Sequence, residues 1–284
     1  MQPLSHPDLT NLDGVGLRPP HYNHVINTKP KISFFEVISE NFMPDGGRPL
    51  FVLDKVRQDY PVSLHGVSLS LGSKDLLCQD YLKKLKSLVT RVDPVFVSDH
   101  LCWGSLHGKY GHDLWPLPYT QESINWLVGK ITYVQDFLQR EIMVENVSTY
   151  VEFKDSEMTE WEFVSEVVKR SGCGLLFDIN NIYVSCFNHG LDAREYLRNV
   201  PHDRVFEIHL AGPSENGKYL VDTHDHPVRQ PVWDLYAEFI RLAGPRPTLL
   251  EWDDDIPDFS VLMAESDKAN KIRENILVIG KACA

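Results

Sequence analysis

Cysteine is scarce and unpatterned: Cys78, Cys102, Cys173, Cys186 and Cys283 form no CxxC pair. That argues against a thiolate-held zinc or iron–sulfur site. An odd, scattered set reads as reduced thiols in a cytoplasmic protein, not as a disulfide framework. Positive charge is in deficit, with 28 Lys and Arg against 40 Asp and Glu and a net charge of −12. Binding to nucleic acid rests on Lys and Arg neutralising phosphates, so no nucleic-acid partner is expected. No apolar run approaches the length that spans a bilayer, so no membrane partner is expected either. The opening residues MQPLSHPDLTNLDG lack the basic and then apolar order of a secretory signal. No low-complexity tract, internal repeat or Gly/Ser linker divides the chain, and residues 1–284 read as one domain. No GxGxxG follows a strand, which weakens an open dinucleotide-binding sheet.

Apolar residues at 43% and charged residues at 24% are those of an ordinary globular chain. Short apolar runs rich in β-branched and aromatic residues recur at Val15–Arg18, Phe34–Ile38, Val62–Gly66, Val95–Asp99, Ile142–Glu145, Gly174–Asp178, Val205–His209 and Thr248–Glu251. Their pattern is that of strands buried on both faces. Helical spacing appears between them at Ser73–Arg91, Thr120–Arg140, Thr159–Arg170, Pro231–Leu242 and Phe259–Lys281. The Thr120 segment carries Glu122 in its first turn, and TEWE at Thr159 has the form of a capping box. Eight strand–helix alternations over this length predict a parallel sheet closed into a (β/α)8 TIM barrel.

The polar residues fall at the strand ends. His65 ends the third run; Asp99 and His100 end the fourth; Glu145 and Asn146 follow the fifth. Asp178, with Asn180 and Asn181 after it, ends the sixth; His209 ends the seventh and Glu251 the eighth. The loop VDTHDHPV after the seventh adds Asp222, His224, Asp225 and His226. In a parallel barrel these ends share one rim, where active sites are built. Taken singly, a His at a strand end is commonly a hydrogen-bonded histidine, and an Asp before a loop is turn chemistry. Taken together, so many buried acids and imidazoles are costly without a cation. The set holds nitrogen and oxygen but no sulfur, which suits zinc, iron or manganese. It is too large for one ion, and two or three ions bridged by Glu145 fit it better. Gly14 and Gly16 are explained by close packing or a turn. Ser98, Ser148 and Ser185 form no evident nucleophile triad. Trp103 and Trp115 are candidates for pocket lining or core, and His112 with Asp113 either reach the site or fix their loop.

The ordered segments HGVSLSLGS, SDHLCW, VENV, FDINNIYVSCFNHG, EIHLAG, DTHDHP and LLEWD resemble the multinuclear non-haem iron-dependent oxidases, the family of the methanobactin biosynthesis iron enzyme. GVGLRPPHY and FEVISENFM add to the likeness, which runs from about residue 12 to the C-terminal region. The resemblance implies a xylose-isomerase-like barrel with two or three iron ions of mixed valence and dioxygen as co-substrate. It also implies oxidation of cysteine residues in a ribosomally made precursor peptide, presented by a separate partner protein. The barrel is similar, more distantly, to that of trinuclear zinc apurinic endonucleases. Carried over, that ligand order gives His65, His100 and Glu145 to one ion. Glu145, Asp178, His209 and Glu251 would hold a second, and Asn181, Asp222 and His224 a third. Asn181 departs from the nuclease pattern, which has His there; this weakens the third site and argues against phosphodiester hydrolysis. Asp99, Asn146 and His226 would stand behind the ligands as supporting residues. The competing readings are a zinc or manganese hydrolase and a metal-dependent sugar isomerase.

Overall fold

The computed structural model describes residues 12–282. Cys283 and the opening residues 1–11, read above for thiol state and for a signal, lie outside the described residues. The strands in chain order are β1 (Asp13–Gly16), β2 (Phe34–Ile38), β3 (Val62–Gly66), β4 (Val97–His100), β5 (Trp103–Leu106), β6 (Lys109–Trp115), β7 (Met143–Glu145), β8 (Gly174–Asp178), β9 (Val205–Leu210), β10 (Ser214–Asn216), β11 (Tyr219–Val221) and β12 (Thr248–Leu250). The helices are α1 (Tyr22–Thr28), α2 (Arg48–Asp59), α3 (Gln79–Val92), α4 (Gln121–Leu138), α5 (Glu160–Ser171), α6 (Ile179–His189), α7 (Ala193–Asn199), α8 (Gln230–Ala243) and α9 (Phe259–Ala282).

Eight strands close into a parallel barrel in the order β1-β12-β9-β8-β7-β4-β3-β2. The expected (β/α)8 architecture is therefore present, with all eight barrel strands near their expected positions. The first strand lies two residues earlier than the sequence pattern placed it, and the fourth begins at Val97, not Val95. Barrel residues are buried on both sides: β3 and β8 have no exposed position. Such strands read as continuous apolar runs with no alternation to mark their ends, which is why the bounds drift.

Local chemistry fixes several elements. Thr159 and Glu162 form the expected capping box at α5. Thr120 Oγ1 accepts from Ser123 N at the start of α4. The helix expected from Ser73 begins only at Gln79, because residues before it are held in a turn. Helices α1, α2, α6 and α7 were not among the expected segments. At Gly14 a Cβ would sit 2.3 Å from the Phe34 ring, so the close packing expected there holds.

Two antiparallel hairpins, β5–β6 and β10–β11, extend beyond the barrel from the loops after β4 and β9. Neither was expected from the sequence. Among the described residues no helix is long and apolar enough to cross a membrane, and Cys78, Cys102, Cys173 and Cys186 are free thiols.

Candidate metal centre

Strand register carries the polar residues together at one end of the barrel. His100 pairs across to Glu145, and Asp178 to His209. His65, Glu145, Asp178, His209 and Glu251 are buried to 6% exposure or less, a burial that acids tolerate only with a partner.

His65 and His100 face the same carboxylate. His100 Nδ1 lies 3.0 Å from the Gly66 carbonyl oxygen, which accepts only, so Nδ1 carries the proton. His65 Nδ1 lies 2.8 Å from Ser98 Oγ, whose own proton has the Leu64 carbonyl as its acceptor. Both rings thus present Nε2 lone pairs inward. His65 Nε2 is 3.1 Å and His100 Nε2 3.3 Å from Glu145 Oε2. Three lone-pair atoms converge on one point, and a cation or a shared proton must stand between them. With protons alone, burial would pull His65 down, but Glu145 overrides it and pushes the imidazole up to about 10. Burial would raise Glu145, yet His100, His65 and His209 hold it at about 2. Burial lowers His100 outright.

The second group surrounds His209. Its Nδ1 lies 3.1 Å from Glu251 Oε2 and 3.9 Å from Glu145 Oε1, and Asp178 joins it within ligand-atom spacing of 4.8 Å. Asp178 caps α6 by accepting from Asn181 N through Oδ1, which leaves Oδ2 free. Burial, reinforced by the charge on Glu145, drives Asp178 well above the usual carboxylate range. Burial would also raise Glu251, but His209 and His224 hold it well below that range.

The third group comes from the loop after β11. His224 Nε2 stands 2.6 Å from Asp222 Oδ1, and its Nδ1 3.3 Å from Glu251 Oε2. His224 has φ +50, a left-handed backbone uncommon for His and typical of functional strain. Gly212 pins this loop: a Cβ there would lie 2.0 Å from the His226 carbonyl oxygen. Asn181 is buried beside it, donating from Nδ2 to the Asn146 carbonyl at 3.0 Å and to Glu145 Oε1 at 3.3 Å. The donor set fits cations on one further observation. Asp178 Oδ2 and Asn181 Oδ1 are buried without a hydrogen-bond partner, and Glu145 Oε2, His209 Nε2 and His224 Nε2 meet only another ionisable side chain, at 3.1, 3.3 and 2.6 Å. Each orphaned atom costs about 1–3 kcal/mol unless something fills the place.

All nine residues expected as ligands therefore converge on the barrel mouth. The supporting residues divide. Asn146 bridges β7 and β8 through the Asp178 backbone, donating at 2.9 Å and accepting at 3.0 Å. Asp99 accepts from Leu69 N and His100 N, so it holds the loop after β3 instead of a ligand side chain. His226 is exposed and pairs with Asp225, away from the centre. Trp103 and Trp115 stack on each other across the β5–β6 hairpin. Asp113 borders the metal pocket, a cavity of about 210 Å³, whereas His112 faces a neighbouring one.

Sequence reasoning missed Glu36, Glu207 and Arg18, and named Asn180 without giving it a role. Glu36 Oε1 lies 3.3 Å from His209 Nε2, on the side opposite Glu251. Glu207 is fully buried with both oxygens unpartnered, and burial beside Glu36 pushes it well above the carboxylate range. Asn180 Nδ2 donates to Asp222 Oδ1 at 2.6 Å. Arg18 pairs with Asp253 and reaches Glu251 at 3.5 Å. The signal for Glu36 was an acid within the otherwise apolar run FFEVI.

A sequence profile of the family described as RiPP precursor modification enzyme MbnB/TglH/ChrH matches residues 13–274. A UPF0276 protein of Anaeromyxobacter sp. (strain Fw109-5) is 52% identical over 259 residues, covering 91% of this chain and 92% of that protein. A UPF0276 protein of Vibrio parahaemolyticus serotype O3:K6 is 46% identical over 277 residues, covering 96% of each. Among solved structures, an L-ribulose 3-epimerase superposes with TM-score 0.63 at 11% identity, covering 96% of this chain and 98% of that one. Endonuclease IV from Thermus thermophilus gives TM-score 0.57 at 14% identity, covering 94% and 98%. At these identities the two structures establish the shared barrel fold and nothing about reaction.

Proposed function

The chain belongs to the RiPP precursor modification family MbnB/TglH/ChrH, and from that premise we propose an iron-dependent oxidase that uses dioxygen to modify cysteine in a ribosomally made precursor peptide. The observation that carries the reading is the convergence of His65 Nε2 and His100 Nε2 on Glu145 Oε2, beside the unpartnered Asp178 Oδ2 and Asn181 Oδ1. One ion would be held by His65, His100 and Glu145; a second by Glu145, Asp178, His209 and Glu251; a third by Asn181, Asp222 and His224. Iron, when bound, supplies redox equivalents and open positions for dioxygen and a cysteine thiolate.

The chain's own residues do the rest. Gly66 O and Ser98 Oγ fix the ring tautomers so that both histidines offer Nε2. Glu145 lies between the two groups, with Oε2 toward the histidine pair and Oε1 toward His209, and would be shared by both. Glu36 orients His209 from behind. Ser148 donates to Asp222 Oδ2 at 3.0 Å and Asn180 to Oδ1, which fixes the carboxylate of the third group. The buried setting excludes bulk water and strengthens each of these contacts. Among the described residues no Lys or Arg lines the metal pocket, so no side-chain cation is placed there to track a run of phosphates. That favours a peptide over a nucleic acid. A separate partner protein that presents the peptide completes the proposal.

The test is direct. The protein is loaded with iron anaerobically, mixed with a cysteine-bearing precursor peptide, and exposed to oxygen. A mass change in the peptide that requires both iron and oxygen is the expected result. Full turnover with zinc and without oxygen would replace this reading with a hydrolase or isomerase.

A further inference from the structure

A second cavity, of about 600 Å³, lies beneath the β5–β6 hairpin. It meets the metal pocket at Val67, Asp113 and Leu114, which border both. The hairpin that roofs it is fastened at its base. Ser70, itself left-handed at φ +49, accepts from Gly104 N at 2.9 Å and Ser105 N at 3.2 Å. Trp103 Nε1 donates to the Pro116 carbonyl at 3.0 Å. Tyr110, 67% exposed, stands at the outer end, and Leu114 at the inner end.

The lining has a definite chemistry. Ser68, Ser70 and Ser105 contribute short hydroxyls, and Val67 and Leu114 contribute apolar surface. Among the described residues no Lys or Arg lines it, and Asp113 is the one carboxylate. A phosphate finds no Lys or Arg there, whereas neutral amide groups find hydroxyls that both donate and accept. Tyr110, His112, Asp113 and Leu114 lie along the one extended strand β6, which gives the cavity a straight wall. From Tyr110 to Leu114 is four strand steps, roughly 13 Å at about 3.3 Å per residue.

We propose that this cavity holds about four residues of an extended peptide, on one side of the residue that enters the metal pocket. The inference rests on the peptide-modifying reading above and adds where the flanking chain lies.

The probes are synthetic Ala/Ser peptides with one cysteine, lengthened on either side from zero to six residues, and their serine-for-cysteine counterparts. N-acetylcysteine amide is the zero-flank probe. Calorimetry on the iron-loaded full chain, kept anaerobic, reads affinity. Affinity should rise with flank length on one side and level off near four residues. Ser105→Trp, which fills the cavity, should weaken the long peptides at least tenfold and leave N-acetylcysteine amide unchanged. Elemental analysis should give the same iron content. Tyr110→Ala/His112→Ala removes exposed groups without adding bulk, and should weaken the long peptides about threefold. The inference is overturned if flanks add nothing, or if the variants weaken the zero-flank probe equally. The serine peptides separate the two ideas. Equal binding of serine and cysteine forms, still lost in Ser105→Trp, would sink thiolate binding at the metal while leaving the groove intact.

Discussion

At the scale of single residues, His209 is held from both sides. Its Nδ1 faces Glu251 and its Nε2 faces Glu36, which also accepts from Ser63 Oγ at 3.1 Å. A carboxylate behind a ligating imidazole sets the tautomer and raises its basicity, and losing it costs about 10–100-fold in metal affinity. Glu36→Gln should therefore lower the affinity of the central ion by that factor, read by competition with a chelator, with the barrel's circular dichroism unchanged. Glu36→Asp should recover part of the loss. Unchanged affinity in Glu36→Gln would remove Glu36 from any role at the centre. Glu36 stood out as an acid in an apolar run, but its role was not legible. Its strand is buried on both faces, so nothing in FFEVI marks which face looks into the barrel. The ligands at the strand ends were legible because an acid or imidazole terminating an apolar run stands out. His226 failed for the converse reason: alternation with His224 could not show that the loop turns outward after Asp225.

At the scale of elements, α5 carries a titrating group of its own. Glu160, in its first turn, accepts from Tyr196 Oη at 3.1 Å. Burial pushes this carboxyl up to about 7, against the pull of the Tyr196 and Tyr119 hydrogen bonds. The folded chain therefore keeps this proton where the unfolded chain has lost it, between about pH 4.5 and 7. The contribution is full below pH 4.5 and is lost as pH rises through 7. A shift of this size is worth on the order of 3 kcal/mol. Urea midpoints at pH 5 and pH 8, in metal-free protein, should fall more steeply for wild type than for Glu160→Gln. Parallel pH profiles would show that the carboxyl is ionised throughout. The two hairpins are the elements the sequence concealed. β5 and β6 bury none of their residues and β6 is largely exposed, so they carry no apolar periodicity. The α5 cap was legible because TEWE states its own chemistry.

At the scale of the whole molecule, the barrel mouth concentrates Glu145, Asp178 and Glu251, with Glu36 and Glu207 below them, all buried to 6% exposure or less. Cations binding the folded chain alone should stabilise it by mass action, about 4 kcal/mol at a thousandfold excess over Kd. For a chain of this size that is roughly 8–16 °C in Tm. Scanning calorimetry before and after chelation should register that drop, and coincident transitions would mean that protons alone satisfy the centre. The barrel itself was legible because eight β-rich runs alternate with helical spacing. The mutual placement of its acids was not, since it depends on register across neighbouring strands.

The clasp between Arg18 and Glu251 joins positions 233 residues apart, beside the seam where β1 pairs with β12. During synthesis, Arg18 and six barrel strands after it leave the ribosome well before Glu251 does. Until then His209 and His224 lack the acid they share, and the centre is open on one side. A chain interrupted before residue 251 thus has the histidine pair of the first group and no complete second group. On the proposed ligand sets the second group is the last to be completed, and only a chain made through its last barrel strand could fill it.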